Sequence, residues 1–99
     1  MEALGFFQKA IGAEPRNVEY RLHLAQSYHK KELFYEAIEE WKRALKLQPE
    51  NVSIHLQLAR VYARIERQDK AKEHYNRVLK LQPGNVEAGR AISGMDDPA

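Results

Sequence analysis

Histidine is the residue type in this chain best suited to acid–base or metal chemistry, because imidazole titrates near neutral pH and ligates metals. The four histidines are His23, His29, His55 and His74. No two of them are three or four residues apart, the spacing that would place two metal ligands on one face of a helix. Elsewhere the sequence shows no glycine-rich phosphate loop and no nucleophile with an evident base. We therefore expect a protein that is not an enzyme and that has no catalytic, cofactor or metal site.

The composition sets further bounds on the class of protein. The absence of cysteine excludes disulfides and thiolate metal sites. With 16 basic and 14 acidic residues the formal net charge is +2, which is too small to predict attraction to nucleic acid or membranes by itself. No window approaches the roughly 18 apolar residues of a membrane span. We expect a soluble protein without a membrane span, with the cytoplasm as its default compartment.

The sequence contains a repeat with a long, fixed period. Pro15, Pro49 and Pro83 stand 34 residues apart, and each is followed by asparagine two positions later and by valine three positions later. Residues 15–48 and 49–82 are identical at 15 of 34 positions, mainly at apolar, small and boundary residues. Such a period is typical of stacked repeats. We therefore expect the scaffold to repeat while the surface carries the function.

Each period carries two helical patterns and no strand pattern. In the first period, apolar residues follow helical spacing from Val18 to Tyr28 and again from Phe34 to Leu45. A proline disfavours helical geometry in the residue before it, and the asparagine two positions later is a good helix cap. The chain is therefore predicted to be all-α, with about six helices arranged in antiparallel pairs.

The period also predicts how the chain is organised. We expect one domain over residues 1–99, since a repeat array buries its core between neighbouring units. Its parts are the second helix of a truncated repeat (1–14), two full repeats (15–48 and 49–82), and the first helix of another truncated repeat with a tail (83–99). These half repeats at both ends indicate a piece of a longer array or protein.

Several spaced residues occur at once in both full periods. In the first they are Leu24, Ala25, Tyr28, Ala37, Trp41, Ala44 and Pro49, and in the second Leu58, Ala59, Tyr62, Ala71, Tyr75, Val78 and Pro83. Over residues 15–83 this pattern resembles the tetratricopeptide repeat. The resemblance implies an α-α superhelix of helix pairs. It also implies that Ala25 and Ala59 are the small residues at which the first helix of each pair approaches the second.

The chain departs from the family's pattern at two kinds of position. Arg21 and His55 occupy the place of its frequent tryptophan, and Glu32 and Glu66 lie in the turn where glycine is common. If a turn residue there adopts a left-handed conformation, glutamate has a steric cost that glycine avoids. Elsewhere, Glu39 and Arg43 are four residues apart, so they are expected to pair along an exposed helix face.

The resemblance also implies a concave groove lined by the first helix of each repeat, in which a peptide segment or a helix of a partner protein lies. Carried over position by position, the groove residues are Glu19, Leu22, Gln26, His29, Lys30, Ser53, Leu56, Arg60, Ala63, Arg64, Glu87 and Arg90. Four of these are arginine or lysine and two are glutamate, so the groove is mildly basic and favours an acidic partner. The predicted function is a protein–protein interaction scaffold.

Two narrower functions within helical repeats are disfavoured. Chaperone-binding tetratricopeptide domains hold a terminal carboxylate with lysine, asparagine and arginine, but the corresponding residues here are Leu22, Gln26, Gln57, Glu87 and Ala91. Related helical repeats that bind RNA usually have a period of about 35 residues and read bases with paired polar side chains. The period of 34 with its regular proline argues against them, so nucleic acid is an unlikely ligand.

The first segment suggests an alternative function. In the repeat register residues 1–14 have no partner helix, so some of their apolar residues should face water unless another molecule covers them. These apolar residues are Leu4, Phe6, Phe7 and Ile11. They predict homo-oligomers formed through exposed end helices. The alternative to peptide binding is thus a self-association or spacer segment.

Overall fold

A computed structural model describes residues 17–96 of the chain, and this part is built from helices alone. The five helices are α1 (Val18–Lys30), α2 (Phe34–Leu47), α3 (Val52–Arg64), α4 (Gln68–Leu81) and α5 (Val86–Asp96). The predicted all-α fold is confirmed. None of these five helices is long and apolar enough to cross a membrane. The helix expected in residues 1–14, with the self-association predicted from it, lies outside the described residues.

The helices fall into two compact units. The first unit ends at Pro49 and the second begins at Glu50, one residue from the border between the two predicted repeats. Within the first unit α1 packs against α2. Within the second, α3 packs against α4 and α4 packs against α5. Within residues 17–96 each unit therefore contains a helical hairpin, and the second unit also contains α5.

Asparagine side chains begin three of the helices, as the sequence predicts. Asn51 Oδ1 accepts a hydrogen bond from the backbone N–H three residues later, at 3.1 Å. Asn17 and Asn85 make the same bond at 3.4 Å and 2.9 Å. Each bond satisfies one of the backbone donors that a helix leaves unpaired in its first turn. The asparagine that follows each proline is thus the start signal of the first helix of each repeat.

Glutamate closes the turn between the two helices of each hairpin. The backbone φ angle is 61° at Glu32 and 63° at Glu66, so both residues are left-handed. The N–H of the following residue donates to the carbonyl five positions earlier, at 2.9 Å in the first turn and 2.8 Å in the second. This is the hydrogen-bond pattern of a Schellman motif, in which glycine is the usual left-handed residue. Both glutamates therefore adopt the conformation in which glutamate is expected to have a steric cost that glycine avoids.

Replacing Glu66 by glycine is therefore expected to stabilise the protein. The side chain of Glu66 is exposed, and glycine removes its clash with the backbone, so we expect a gain of about 0.5–1 kcal/mol in the free energy of unfolding. Urea unfolding followed by circular dichroism measures this gain. The matched control is Glu39→Gly in the exposed face of α2, which should instead cost about 1 kcal/mol. Equal losses from both substitutions would contradict the expected strain.

The core of each unit is formed where the helices cross. The small residues predicted at the crossings, Ala25 and Ala59, are fully buried, as are Ala37 and Ala71 on the second helix of each pair. Among the large side chains, Trp41 is 2 % exposed and Tyr75, one period later, is 6 % exposed. Small residues permit close approach of the helices, and the aromatic rings fill the wider gaps. Both units therefore bury alanines together with one large aromatic side chain of the second helix.

Candidate functional site

Helix α1 presents its predicted groove residues to solvent. Leu24 and Ala25 are the buried residues of this helix. Of the groove residues, Glu19, Gln26, His29 and Lys30 are exposed and Leu22 is half-buried. The His29 ring lies edge-on to Phe34, with ring centroids 5.5 Å apart. This face therefore combines charged, amide and imidazole groups beside one partly accessible leucine.

In the second unit, the predicted groove residues are again accessible. Ser53, Arg60, Arg64 and Arg90 are exposed, and Leu56, Ala63 and Glu87 are half-buried. The buried residues of α3 lie elsewhere on the helix: Ile54, His55, Leu58, Ala59, Val61 and Tyr62. We call the groove residues of α3 and α5 together the α3–α5 face. Three arginines and one glutamate give this face a positive formal charge.

A bidentate ion pair joins α3 to α5 on this face. The Arg60 Nε and Nη2 atoms donate to the two carboxylate oxygens of Glu87 at 2.6 and 2.5 Å. Both side chains remain partly exposed, at 48 % and 40 %. The hydrogen bond from Arg60 lowers the pKa of the Glu87 carboxyl, and the same bond raises the pKa of Arg60. Two of the predicted groove residues are thus bonded to each other.

The charges of this pair also affect a buried residue of α4. Burial raises the pKa of the Tyr75 hydroxyl, and the negative charge of Glu87 raises it further while Arg60 opposes the shift. The charges of Arg60 on α3 and Glu87 on α5 therefore both act on Tyr75 of α4. The repeat register predicts that Arg60 and Glu87 lie on one surface. Helical periodicity gives no sign that these two residues, 27 positions apart, are bonded to each other.

In the first unit, the position that the family often fills with tryptophan holds Arg21, which pairs with Glu40 of α2. Arg21 Nη1 donates to Glu40 Oε1 at 2.9 Å, joining α1 to α2. Their side chains are 16 % and 9 % exposed, so the pair is largely buried. Arg43 Nη1 donates to the other oxygen of Glu40 at 2.7 Å. The expected pairing of Arg43 with Glu39 is therefore wrong, because the buried carboxylate of Glu40 engages this arginine instead.

The same two positions hold a histidine pair in the second unit. The Nδ1 atoms of His55 and His74 lie 3.1 Å apart, so one of them donates and the other accepts. The His74 ring also stacks on Tyr62, with centroids 5.7 Å apart. A pair alone is no metal site, and residues 17–96 contain no cluster of three or more histidine, aspartate or glutamate side chains able to hold a metal ion. The spacing of histidines within one helix gives no sign of this pair, because its members lie on α3 and α4. Arg21 and Glu40 in the first unit are also 19 residues apart.

Replacing His55 by arginine and His74 by glutamate is expected to show strong energetic coupling between the two positions. His55→Arg alone buries a guanidinium without a carboxylate, and His74→Glu alone places a carboxylate beside an imidazole, so each should cost about 1–3 kcal/mol. The double substitution recreates the Arg21–Glu40 pair and should recover at least about 1 kcal/mol of the summed loss. Urea unfolding of the four proteins measures this coupling. Strictly additive losses would show that the two positions do not act as a pair.

Comparisons with known proteins agree with this architecture. A TPR repeat profile matches residues 34–66, and a tetratricopeptide repeat profile matches residues 52–85. Among curated protein sequences no significant match is found.

Solved structures give the same fold. The first TPR domain of Spaghetti (RPAP3), bound to an HSP90 peptide, is 23 % identical with a TM-score of 0.81, covering 93 % of this chain and 73 % of that one. The second TPR domain of human RPAP3, in complex with an HSP70 peptide, is 22 % identical with a TM-score of 0.80, covering 93 % and 77 %. MamA is 23 % identical with a TM-score of 0.85, and this chain spans 50 % of its length. With the two profiles together spanning residues 34–85, more than half of the sequence, the chain belongs to the tetratricopeptide repeat family.

Proposed function

We propose that this chain is a non-enzymatic protein-interaction module that binds an extended peptide segment or a helix of a partner protein. The binding residues are those predicted for the groove, on α1 in the first unit and on the α3–α5 face in the second. One observation carries the proposal: all twelve of these residues are solvent-accessible, on helices whose other faces form the cores. A surface that varies between repeats while the core is repeated fits a recognition role.

The related domains support a peptide as ligand. Two of the structures with the same fold are RPAP3 domains that hold HSP90 or HSP70 peptides. Chaperone-binding domains hold a terminal carboxylate with side chains at five positions. In this chain the corresponding residues are Leu22, Gln26, Gln57, Glu87 and Ala91. Glutamate at one of them repels a carboxylate, and leucine and alanine cannot donate a hydrogen bond. We therefore propose an internal peptide segment or a helix as ligand, and not a chaperone C-terminus.

Charge favours an acidic partner. Lys30, Arg64 and Arg90 are exposed on the proposed binding faces. Acidic residues in a partner segment would meet these cations, which raises association rates and disfavours basic competitors. Leu22 and Leu56 are half-buried and offer apolar contact beside the charges. The ligand that fits best combines carboxylates with spaced apolar side chains.

Site-specific photo-crosslinking in source cells tests the proposed surface. A photoreactive amino acid replaces Gln26 or Ser53, which are exposed groove residues, or Glu39 or Glu73, which are exposed on α2 and α4. All four positions are exposed, so Glu39 and Glu73, which lie outside the predicted groove, are matched controls. We expect one protein partner to be captured from the groove positions and not from the controls. Capture from the control positions alone would contradict the proposed surface.

Charge reversal with the captured partner adds a quantitative test. Arg90→Glu on the α3–α5 face should weaken binding about tenfold, because an acidic segment would then meet a like charge. Lys80→Glu on α4 changes the net charge equally at an exposed position outside the groove, so it should change affinity less than about twofold. Equal effects of the two substitutions would indicate long-range attraction in place of a defined contact.

A further inference from the structure

We propose that Glu87 is an internal ligand of Arg60 and sets the selectivity of the α3–α5 face, so that a carboxylate of an acidic peptide segment engages Arg60 only by displacing Glu87. The inference rests on the proposed peptide-binding function and concerns the same surface. In this role Glu87 weakens the binding of acidic peptide segments, the class of ligand that the other charges of the face favour. Segments with a single carboxylate would then bind more weakly, while segments with several carboxylates would offset the competition from Glu87.

The geometry of the pair explains why displacement is required. Arg60 uses Nε and Nη2, the edge of the guanidinium that binds a carboxylate with two parallel hydrogen bonds, and Glu87 fills this edge completely. A partner carboxylate that sought the same edge would find its donors engaged. The side chains of Arg60 and Glu87 are 48 % and 40 % exposed, so an incoming segment can reach them from solvent. The exchange therefore replaces one bidentate carboxylate with another.

The charges around the pair favour a ligand carboxylate once Glu87 is displaced. Glu87 is the only acidic residue among the groove residues of α3 and α5, where Arg64 and Arg90 are also exposed. An exposed ion pair is weak, so its loss can be offset by a ligand that meets several cations at once. Competition from Glu87 should therefore reduce affinity by about fivefold and should not abolish binding.

Helix α5 has other anchors, so the pair is not needed to hold it in place. Ala88 is fully buried, and Asn85 caps the helix through a hydrogen bond at 2.9 Å. Packing of α5 against α4 does not involve Arg60, which belongs to α3. Glu87→Gln keeps the shape of the side chain and removes only its charge. This substitution is therefore expected to preserve the fold while it releases Arg60.

The test measures binding of a fluorescently labelled hexaglutamate peptide to the full chain. At low ionic strength Glu87→Gln should bind about fivefold more tightly than the unmodified protein, and the gain should shrink as salt is added. Adding Arg60→Gln to this variant should abolish the gain. Glu73→Gln, an exposed change of the same kind on α4, controls for net charge and should leave affinity within about twofold.

The sign of the effect separates the proposed role from a structural one. A glutamate that merely supported the surface would lower affinity when replaced, and unchanged or weaker binding by Glu87→Gln overturns the inference. Absence of hexaglutamate binding in every variant also overturns it. The proposed function is judged separately by crosslinking from Gln26 and Ser53, so partner capture there would stand even if Glu87 had no competing role.

A second measurement follows the guanidinium itself. In ¹⁵N-labelled protein the Arg60 Nε–H should exchange slowly with water, because it is hydrogen-bonded to Glu87, and should exchange faster in Glu87→Gln. Saturating hexaglutamate should restore slow exchange in that variant, as the peptide carboxylate replaces Glu87. Fast exchange in the unmodified protein, or no response to bound peptide, would overturn the proposed exchange of ligands.

Discussion

Trp41→Ala is expected to destabilise the first unit by about 3–5 kcal/mol, because it leaves a large cavity in a core that is otherwise closely packed. Trp41 is 2 % exposed and has the largest volume of the fully buried side chains. A protein of this size has a free energy of unfolding of about 5–15 kcal/mol, so the loss is a large part of the total. Urea unfolding followed by far-ultraviolet circular dichroism measures the loss. Tryptophan fluorescence cannot be used, because Trp41 is the only tryptophan and the variant lacks it.

Two further substitutions make this result specific. Trp41→Tyr introduces the residue found one period later, where Tyr75 is 6 % exposed, and should cost less than about 2 kcal/mol. Tyr35→Ala removes an aromatic ring from the same helix at a position that is 66 % exposed, and should change stability by less than about 0.5 kcal/mol. If Trp41→Ala cost no more than Tyr35→Ala, the first unit would not contain the proposed core.

The scaffold was predictable because its signals are local and repeated. Each proline, with the asparagine two positions later, marks a helix border, and the hydrogen bonds of Asn51 and Asn85 confirm the start signal. The alanines at the crossings follow helical spacing within single segments. The left-handed glutamates were recognisable because the turn position is fixed by the period, although glutamate itself carries no such signal. Because each of these residues recurs 34 positions later, the borders of the helices could be assigned with less ambiguity than in a single helix pair.

The side-chain pairs could not be predicted in the same way. Whether Arg43 engages Glu39 or Glu40 depends on which carboxylate is anchored by α1, and that is a property of tertiary packing. The bond between Arg60 and Glu87 likewise depends on the approach of α5 to α3. Helical periodicity identifies the face on which a residue lies but not the residue that its side chain meets. The groove residues were therefore named individually, while the pairing of Arg60 with Glu87 was missed.

The polar pairs at the tryptophan position show how the repeats can differ without loss of the fold. Arg21 with Glu40 and His55 with His74 satisfy hydrogen bonds between the two helices of a hairpin, where an aromatic ring would give only packing. A buried polar group without a partner would cost about 1–3 kcal/mol, so each choice constrains the residue 19 positions later. A change at either position of such a pair is therefore expected to require a matching change at the other.

Ala25→Leu is expected to lower the free energy of unfolding by about 1–3 kcal/mol, because the larger side chain has no room at the helix crossing. Ala25 is fully buried in α1. The melting temperature should fall by roughly 5–20 °C, since each kcal/mol corresponds to about 4–8 °C in a domain of this length. Thermal melting followed by circular dichroism measures the shift. Ala59→Leu makes the same change one period later and should have an effect of similar size.

The neighbouring residue provides the control for this substitution. Gln26 is exposed on α1, so Gln26→Leu adds the same side chain to the same helix without entering the crossing and should change stability by less than about 0.5 kcal/mol. Alanine, leucine and glutamine differ in helix propensity by only a few tenths of a kcal/mol, so a difference above about 1 kcal/mol between the two variants reports packing. An unchanged melting temperature for Ala25→Leu would show that the helices are not in close contact there. A loss confined to Ala25→Leu would instead establish that close approach at this alanine, and not helix propensity, limits the size of the residue that the repeat accepts.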